Sequence, residues 1–250
     1  LLFCRRNVDR TRRLHSSIDL PPWILYLGSH QVSLVEDGQH LLQLAQQQNC
    51  LLQVGHVERF NPIVDLVRPL IDHPGFLECH RLSPFQTRGT DVDVVLDLMI
   101  HDLDMVLSLN LGHIEIVDAS GLAVLSEQID IANVRIVFGN GAVATFTASR
   151  ISTGRLRKCR VFQPDAYISI DYQDRRAVMY RRMCLNGGEG MVETEQLCGT
   201  EDEPLQRELL SFIASVKTNT CPLVSGEDGV ASLVLAHRIL SQIHHSSNKS

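Results

Sequence analysis

The chain has 250 residues, 44% hydrophobic and 21% charged, with 5% aromatic residues and a formal net charge of −6. That composition is globular, so wholesale disorder is excluded. The acidic balance argues against nucleic acid as a partner, and no apolar run reaches the ~20 residues needed to span a bilayer. Seven cysteines are scattered, with no C-x-x-C spacing. They read as reduced, mostly buried thiols of a cytoplasmic protein rather than a disulfide framework or zinc site.

Residues 1–13 carry Arg5, Arg6, Arg10, Arg12 and Arg13 against one acid, Asp9. The stretch reads as a solvated tail, a fragment edge or a targeting peptide. Residues 1–31 are expected to be an unmatched, disordered segment. From Ser33 the pattern sharpens. Ser33-Leu34-Val35-Glu36 has capping-box form, and Leu34, Leu41, Leu42 and Ala45 follow on one helical face. Asn49 is a natural stop. Cys50 to Val57 reads as a short buried strand, and helix followed by strand suggests the closing unit of an α/β sheet.

Strand signals then dominate. Phe76 to Leu82 precedes a loop from Ser83 to Gly89. Ile114 to Leu125 and Ile129 to Phe138 are further strands, the second with Val134, Ile136 and Phe138 alternating as a one-sided sheet requires. Asn140-Gly141 predicts a hairpin turn into a strand over Ala142 to Arg150. Alternating segments run from Arg160 to Met183 around Gln163-Pro164-Asp165, and Asn186 to Gly190 reads as a flexible loop. A helix starts at Pro204 and runs to about Lys217. A last helix runs from Ser225, with Asp228 completing a weaker capping box, to about Ile243, and the tail from His244 frays. The order predicts an α+β fold: an open, mostly antiparallel C-terminal sheet with packing helices, preceded by a remnant of an α/β domain.

Two constellations carry chemistry. Between Asp93 and Asp104, helical spacing puts Asp97, His101, Asp104 and Ser108 on one face. An Asp one turn before a His can fix its tautomer and raise its basicity, which suits a general base near neutral pH. The alternative is a solvated polar stripe. A metal reading of His101, Asp102 and Asp104 is poorer, because Asp102 falls on another face. The second constellation is Gly55, His56, Arg59, Asn61 and Pro62, directly after the predicted strand. Strand C-termini are where α/β folds bind ligands. Gly55 allows close backbone approach, and Arg59 suits a phosphate or carboxylate, or else a structural salt bridge. Gly139-Asn140-Gly141-Ala142-Val143-Ala144 fits G-x-G-x-x-A, but a strand follows it where a phosphate site needs a helix, so it is a turn.

The segments VGHVERFNP (residues 54–62) and FLECHRLSPFQTRGTDVDVVLDLMIHDLD (76–104) resemble the glucose–fructose oxidoreductase / inositol dehydrogenase (Gfo/Idh/MocA) family. Within it, the wording is most similar to the branch of the UDP-N-acetylglucosamine 3-dehydrogenase type. IDIANVRIVFGNGAVATFTASR, RVFQPDAYISIDY and SGEDGVASLVLAHRIL are in keeping, and the likeness runs from Val32 to Ile243. It implies a Rossmann remnant over 32–62 and a substrate and oligomerisation domain over 63–250. It implies oxidation of a sugar or sugar-nucleotide hydroxyl by hydride transfer to NAD or NADP, with a homo-oligomer formed through the sheet face. By the resemblance, His101 takes the hydroxyl proton, Asp97 orients it or binds substrate, and the 55–62 loop lies near the nicotinamide. Two departures stand out. No nucleotide fingerprint occurs, and the position of the family's catalytic Lys falls at about Gly28. The expectation is therefore an N-terminally truncated oxidoreductase, with a cofactor-free binding or oligomerisation module as the alternative.

Overall fold

The computed structural model describes residues 24–28, 32–86, 90–184 and 190–247. The arginine-rich start, His15, His30, the tip of the 83–89 loop and most of the 186–190 loop lie outside the described residues. Two units follow each other along the chain. The first is a βαβ unit: β1 (Ile24–Gly28), α1 (Val35–Gln47) and β2 (Leu51–Gly55), with the strands parallel and Gly28 opposite Gly55. β1 is an element the sequence reading did not place. Five residues bounded by Pro21-Pro22 and Gly28 give too short a pattern for a strand to declare itself.

A 3₁₀ turn (Val57–Phe60) and α2 (Pro62–Val67) lead into the second unit. Its sheet has eight strands in the order β10-β9-β8-β7-β3-β6-β5-β4. In chain order these are β3 (Phe76–Leu82), β4 (Ile114–Leu122), β5 (Ile131–Phe138), β6 (Val143–Ser149), β7 (Leu156–Gln163), β8 (Ala166–Asp171), β9 (Arg176–Cys184) and β10 (Gly190–Cys198). Every neighbouring pair is antiparallel except β3 and β6. The expected α+β class and open, mostly antiparallel sheet are what the chain forms. β10 was missed: Met191 to Gln196 is exposed throughout, the apolar Met191 and Val192 included, so no buried face marks it.

Period-two burial divides the sheet into faces. Leu77 and Cys79, Val134 and Ile136, Ala144 and Phe146, and Ile168 and Ile170 are buried together with the helical residues Leu103, Ala236 and Ile239 in one cluster. Each fully buried aliphatic or aromatic side chain there contributes roughly 1.5–3 kcal/mol of transfer free energy. The opposite face holds half-buried and exposed residues. A row of rings, Phe76, Phe162, Tyr167 and Tyr180, crosses β3, β7, β8 and β9 with centroid spacings of 5.5, 4.8 and 5.8 Å. Among the described residues no helix packs on that face.

Three helices complete the structure: α3 (Ile100–Leu107), α4 (Pro204–Thr218) and α5 (Gly226–Ser247). α5 ties the two units together. Its N-terminus lies so close to β2 that a Cβ on Gly229 would sit 2.5 Å from Val54 Cγ2, and one on Gly226 2.5 Å from Leu52 Cδ2. The Ser225–Asp228 capping box forms as expected: the Ser225 N–H donates to Asp228 Oδ2 at 2.9 Å, and the Asp228 N–H donates to Ser225 Oγ at 3.2 Å. The Ser33–Glu36 box does not form. Leu34 is the extended residue before α1, which puts Ser33 one position too early. The Ser33 carbonyl instead accepts from His237 Nε2 of α5 at 2.6 Å. The tail is also a correction, since α5 runs past His244 to Ser247, where His245 Nδ1 donates to the Ser241 carbonyl.

The turns follow their chemistry. Asn49 takes positive φ, as the stop predicted there requires, and Asp165 does so at the turn between β7 and β8. At the 138–142 hairpin only Gly141 is at positive φ (86°). The Gly141 N–H donates to the Phe138 carbonyl, and Asn140 contributes its side chain, accepting from the Ala142 N–H at 2.9 Å.

Candidate active site at the junction of the two units

The loop after β2 and the start of α3 meet where the units join. The approach to α3 is anchored first. Asp93 Oδ1 accepts from the Ile129 N–H at 3.0 Å, and the Val94 N–H donates to the Ile129 carbonyl. The next turn, Val95–Met99, is a π-helix, in which the Ile100 N–H reaches back to Val95 O. The expected α-helix over Asp93 to Asp104 is therefore corrected over its first half. Wide turns of this kind recur at functional sites.

From His101 onward the one-face reading holds, and the face is buried rather than solvated. His101 Nδ1 lies 3.5 Å from His56 Nδ1, and the two rings meet edge to face with centroids 5.6 Å apart. One turn on, Asp104 accepts two bonds from Arg59, Nε to Oδ2 at 2.7 Å and Nη2 to Oδ1 at 3.1 Å. Another turn on, Arg68 donates to Ser108 Oγ at 2.9 Å and to the Ser108 carbonyl at 2.7 Å. Three successive turns of the helix are thus pinned to the chain segment that follows β2.

Asp102 points elsewhere, as its position predicts. It accepts two bonds from Arg81 of β3, at 3.0 and 2.8 Å. Glu58 completes this second cluster, 3.7 Å from Arg81 and 3.5 Å from Arg157. Burial alone would lower the pKa of Arg81, but the charges of Asp102 and Glu58 raise it, so the guanidinium stays charged. Sequence reasoning missed Arg81. Its signal was available: it falls in register with buried Leu77 and Cys79, and a charge there requires an opposite charge. Beside it Cys79 and Cys159 face each other across β3 and β7 with sulfurs 3.5 Å apart. Their hydrogen bond and burial push the Cys79 thiol well up.

The residues expected at the cofactor loop are brought together, with their side chains held by the protein itself. Arg59 is bound to Asp104, with Asp228 of α5 at 3.8 Å. Asn61 donates to the Tyr172 carbonyl at 2.9 Å and caps α2 by accepting from the Ile63 N–H. Pro62 is the buried first residue of α2. Beside them, Gly55 and Gly28 sit opposite each other at the carboxyl ends of two parallel strands. That strand edge is one residue from the His56–His101 pair. The described residues hold no phosphate-cradling turn, and none of their His, Cys, Asp and Glu groups is placed to hold a metal. No described helix is long and apolar enough to cross a membrane.

The sheet and helices are those of the C-terminal domains of dehydrogenases. Residues 73–169 match the GFO/IDH/MocA C-terminal domain. UDP-N-acetylglucosamine 3-dehydrogenase from Acidithiobacillus ferrooxidans is 36% identical over 148 residues, which is 59% of this chain and 47% of that protein. The match thus spans about half the length of the relative. A solved structure of that enzyme superposes with a TM-score of 0.81 at 29% identity, covering 87% of this chain and 70% of that one. A probable dehydrogenase from Thermotoga maritima (TM-score 0.71, 21% identity, 88% and 71% covered) shares the fold. So does a levoglucosan dehydrogenase solved with NADH and levoglucosan (0.77, 14%, 88% and 71%).

Proposed function

We propose that the chain is the substrate-side portion of an NAD(P)-dependent oxidoreductase that oxidises a hydroxyl of a sugar or sugar nucleotide. The observation that carries this reading is the position of His101. It is buried against His56, the residue that directly follows β2, on a helix whose next two turns are held by Arg59 and Arg68. His101 takes the proton of the substrate hydroxyl as the carbinol carbon is oxidised. Asp97, half-buried in the widened turn, binds or orients the substrate. The Arg59–Asp104 pair holds the loop against α3, so that the base and the strand edge keep their spacing. A bound nicotinamide supplies the hydride acceptor. Its phosphates would be held by residues other than Arg59, Asn61 and Pro62. A cytoplasmic location suits the thiol, rather than disulfide, state of Cys50, Cys79, Cys159, Cys198 and Cys221.

The open sheet face supports self-association into a homo-oligomer. Phe162 and Tyr180 are 37% and 41% exposed in a ring row flanked by Val192 at 64%. A contiguous apolar patch rimmed by charge marks an interaction surface. A second reading, a cofactor-free binding or oligomerisation module, is favoured by the internal commitment of Arg59 and Asn61.

A chimera separates the two readings. The nucleotide-binding segment of the Acidithiobacillus relative is joined ahead of Leu51 and assayed with NAD+ and NADP+ against sugars, cyclitols and sugar nucleotides. Reduction of the nicotinamide with a sugar or sugar nucleotide supports the oxidoreductase. A folded chimera that binds NADH and turns over none of the panel supports the cofactor-free module.

A further inference from the structure

We infer that Arg150 is a positioning residue of the candidate site: it fixes the entry to the π turn and so sets the winding that carries Asp97 into the helix of His101. Arg150 directly follows β6, and its side chain is 6% exposed. The completely buried Asp130 lies 3.2 Å from its Nε and balances its charge. The backbones join them as well, since the Arg150 N–H donates to the Asp130 carbonyl at 3.0 Å. The Nη2 group of Arg150 donates to two carbonyls, that of Val92 and, at 3.0 Å, that of Ile129. Ile129 is the residue whose peptide group already holds Asp93 and Val94. A buried guanidinium is tolerated only when paired and hydrogen-bonded. This one gathers three segments in meeting that need: the end of β6, the run into β5 and the entry to the π turn.

The exit from the turn is fixed too. Asp102 is bound to Arg81 of β3, and Asp104 to Arg59. Between Val94 and Asp102 the chain must therefore join two points that the sheet and the loop after β2 hold in place. It does so by changing its winding. The Asp97 N–H donates to the Asp93 carbonyl four residues back, but the Ile100 N–H donates to the Val95 carbonyl five residues back. Helices ordinarily close at four, and a turn closed at five is rare. The extra residue is what two fixed ends require. With the entry freed, the turn should rewind toward the four-residue pattern, which carries Asp97 to another angle about the helix axis. That Asp97 binds or orients a substrate rests on the function proposed above; the winding of the turn does not.

The test is amide hydrogen exchange, read residue by residue by NMR, in the full chain as wild type, Arg150→Met, Arg150→Lys and Arg150→Met/Asp130→Asn. The double variant removes both charges together, so no unpaired carboxylate is left in the core to unfold the chain. In Arg150→Met and in the double variant, exchange at Val94, Asp97 and Ile100 should speed up about tenfold or more, the factor that one charge-assisted hydrogen bond contributes. Ser108, just past α3, and Phe138, at the far end of β5, should stay within about twofold of wild type, because a local opening leaves them closed. Arg150→Lys keeps a charged donor near the same carbonyls and should recover part of the protection. Equal acceleration at all of these amides would make Arg150 a stability residue only and overturn the inference. No acceleration at Val94, Asp97 and Ile100 overturns it, as does a lysine variant no better protected than the methionine one. In an active chimera, Arg150→Met should also lower kcat/KM about tenfold or more with NADH affinity unchanged, and an unchanged kcat/KM would remove Arg150 from the positioning of the site. The exchange results do not depend on turnover, so an inactive chimera would count against the proposed function and leave the anchor standing.

Discussion

Removing the Asp104 carboxylate tests how firmly the loop is clamped to α3. The Asp104 side chain is 1% exposed, and it holds the 8%-exposed Arg59 by two charge-assisted bonds. Asp104→Ala leaves a buried guanidinium with Asp228 alone, at 3.8 Å and 40% exposed. Breaking a buried pair by deleting one partner costs about 3–5 kcal/mol, because the survivor keeps its desolvation penalty. Asp228 offsets part of that, so the lower end, about 3 kcal/mol, is expected. For a chain of this size that is a fall in melting temperature of about 6–12 °C. The double variant Arg59→Leu/Asp104→Leu removes both charges and should recover about half of the loss or more. Urea unfolding of wild type, both single variants and the double gives the coupling energy directly. A single-variant loss below about 1 kcal/mol, or a double variant as unstable as the summed singles, would refute the clamp.

Asp130 gives a pH signature. Burial alone would raise its pKa, but the Ser126 hydroxyl and the N–H groups of Val124, Leu125 and Ser126 bring it down to about 2. A depressed folded value means stability fully present above the unfolded carboxylate range near 4 and lost as pH falls toward 2. Urea midpoints between those limits should fall less steeply for Asp130→Asn, which will start from lower stability at neutral pH. Gly229→Ala forces a methyl group against Val54 and should cost about 1–3 kcal/mol in thermal melts; a neutral effect would mean that α5 is not seated on β2. Cys198 and Cys221, both exposed, should react with a thiol reagent at once, while Cys79 and Cys159 react only on unfolding. Tyr180→Glu should lower the mass measured by light scattering if the sheet face joins copies of the chain; an unchanged mass removes that face from the assembly.

The sheet was legible because its inner face is written at period two. Val134, Ile136 and Phe138 mark β5 from the sequence alone, and β3 was placed residue for residue. β10 was not legible, since its side chains from Met191 to Gln196 are all exposed and only pairing with β9 makes it a strand. The capping motifs show how local signals divide. Ser225 and Asp228 satisfy each other, while the same pattern at Ser33 fails because Leu34 takes the cap. The candidate site was legible in part. The spacing from His101 to Asp104 and Ser108 put them on one face, as they lie in the structure, and the loop from Gly55 to Pro62 packs against that face. Their contact with each other was not legible. Arg59 and Asp104 are 45 residues apart, and nothing in the local pattern says that one guanidinium takes the other's carboxylate. The π turn was equally hidden, because it depends on Asp93 and Val94 being fixed to Ile129.

The most direct measurement of the central claim is kcat for wild type and His101→Ala in the chimera carrying the relative's nucleotide-binding segment, with NADH binding confirmed for both. The account predicts a loss of roughly 10²–10⁴ in kcat with cofactor affinity unchanged, as expected for a missing general base. A His101→Ala chimera that binds NADH and turns over at the wild-type rate would contradict it.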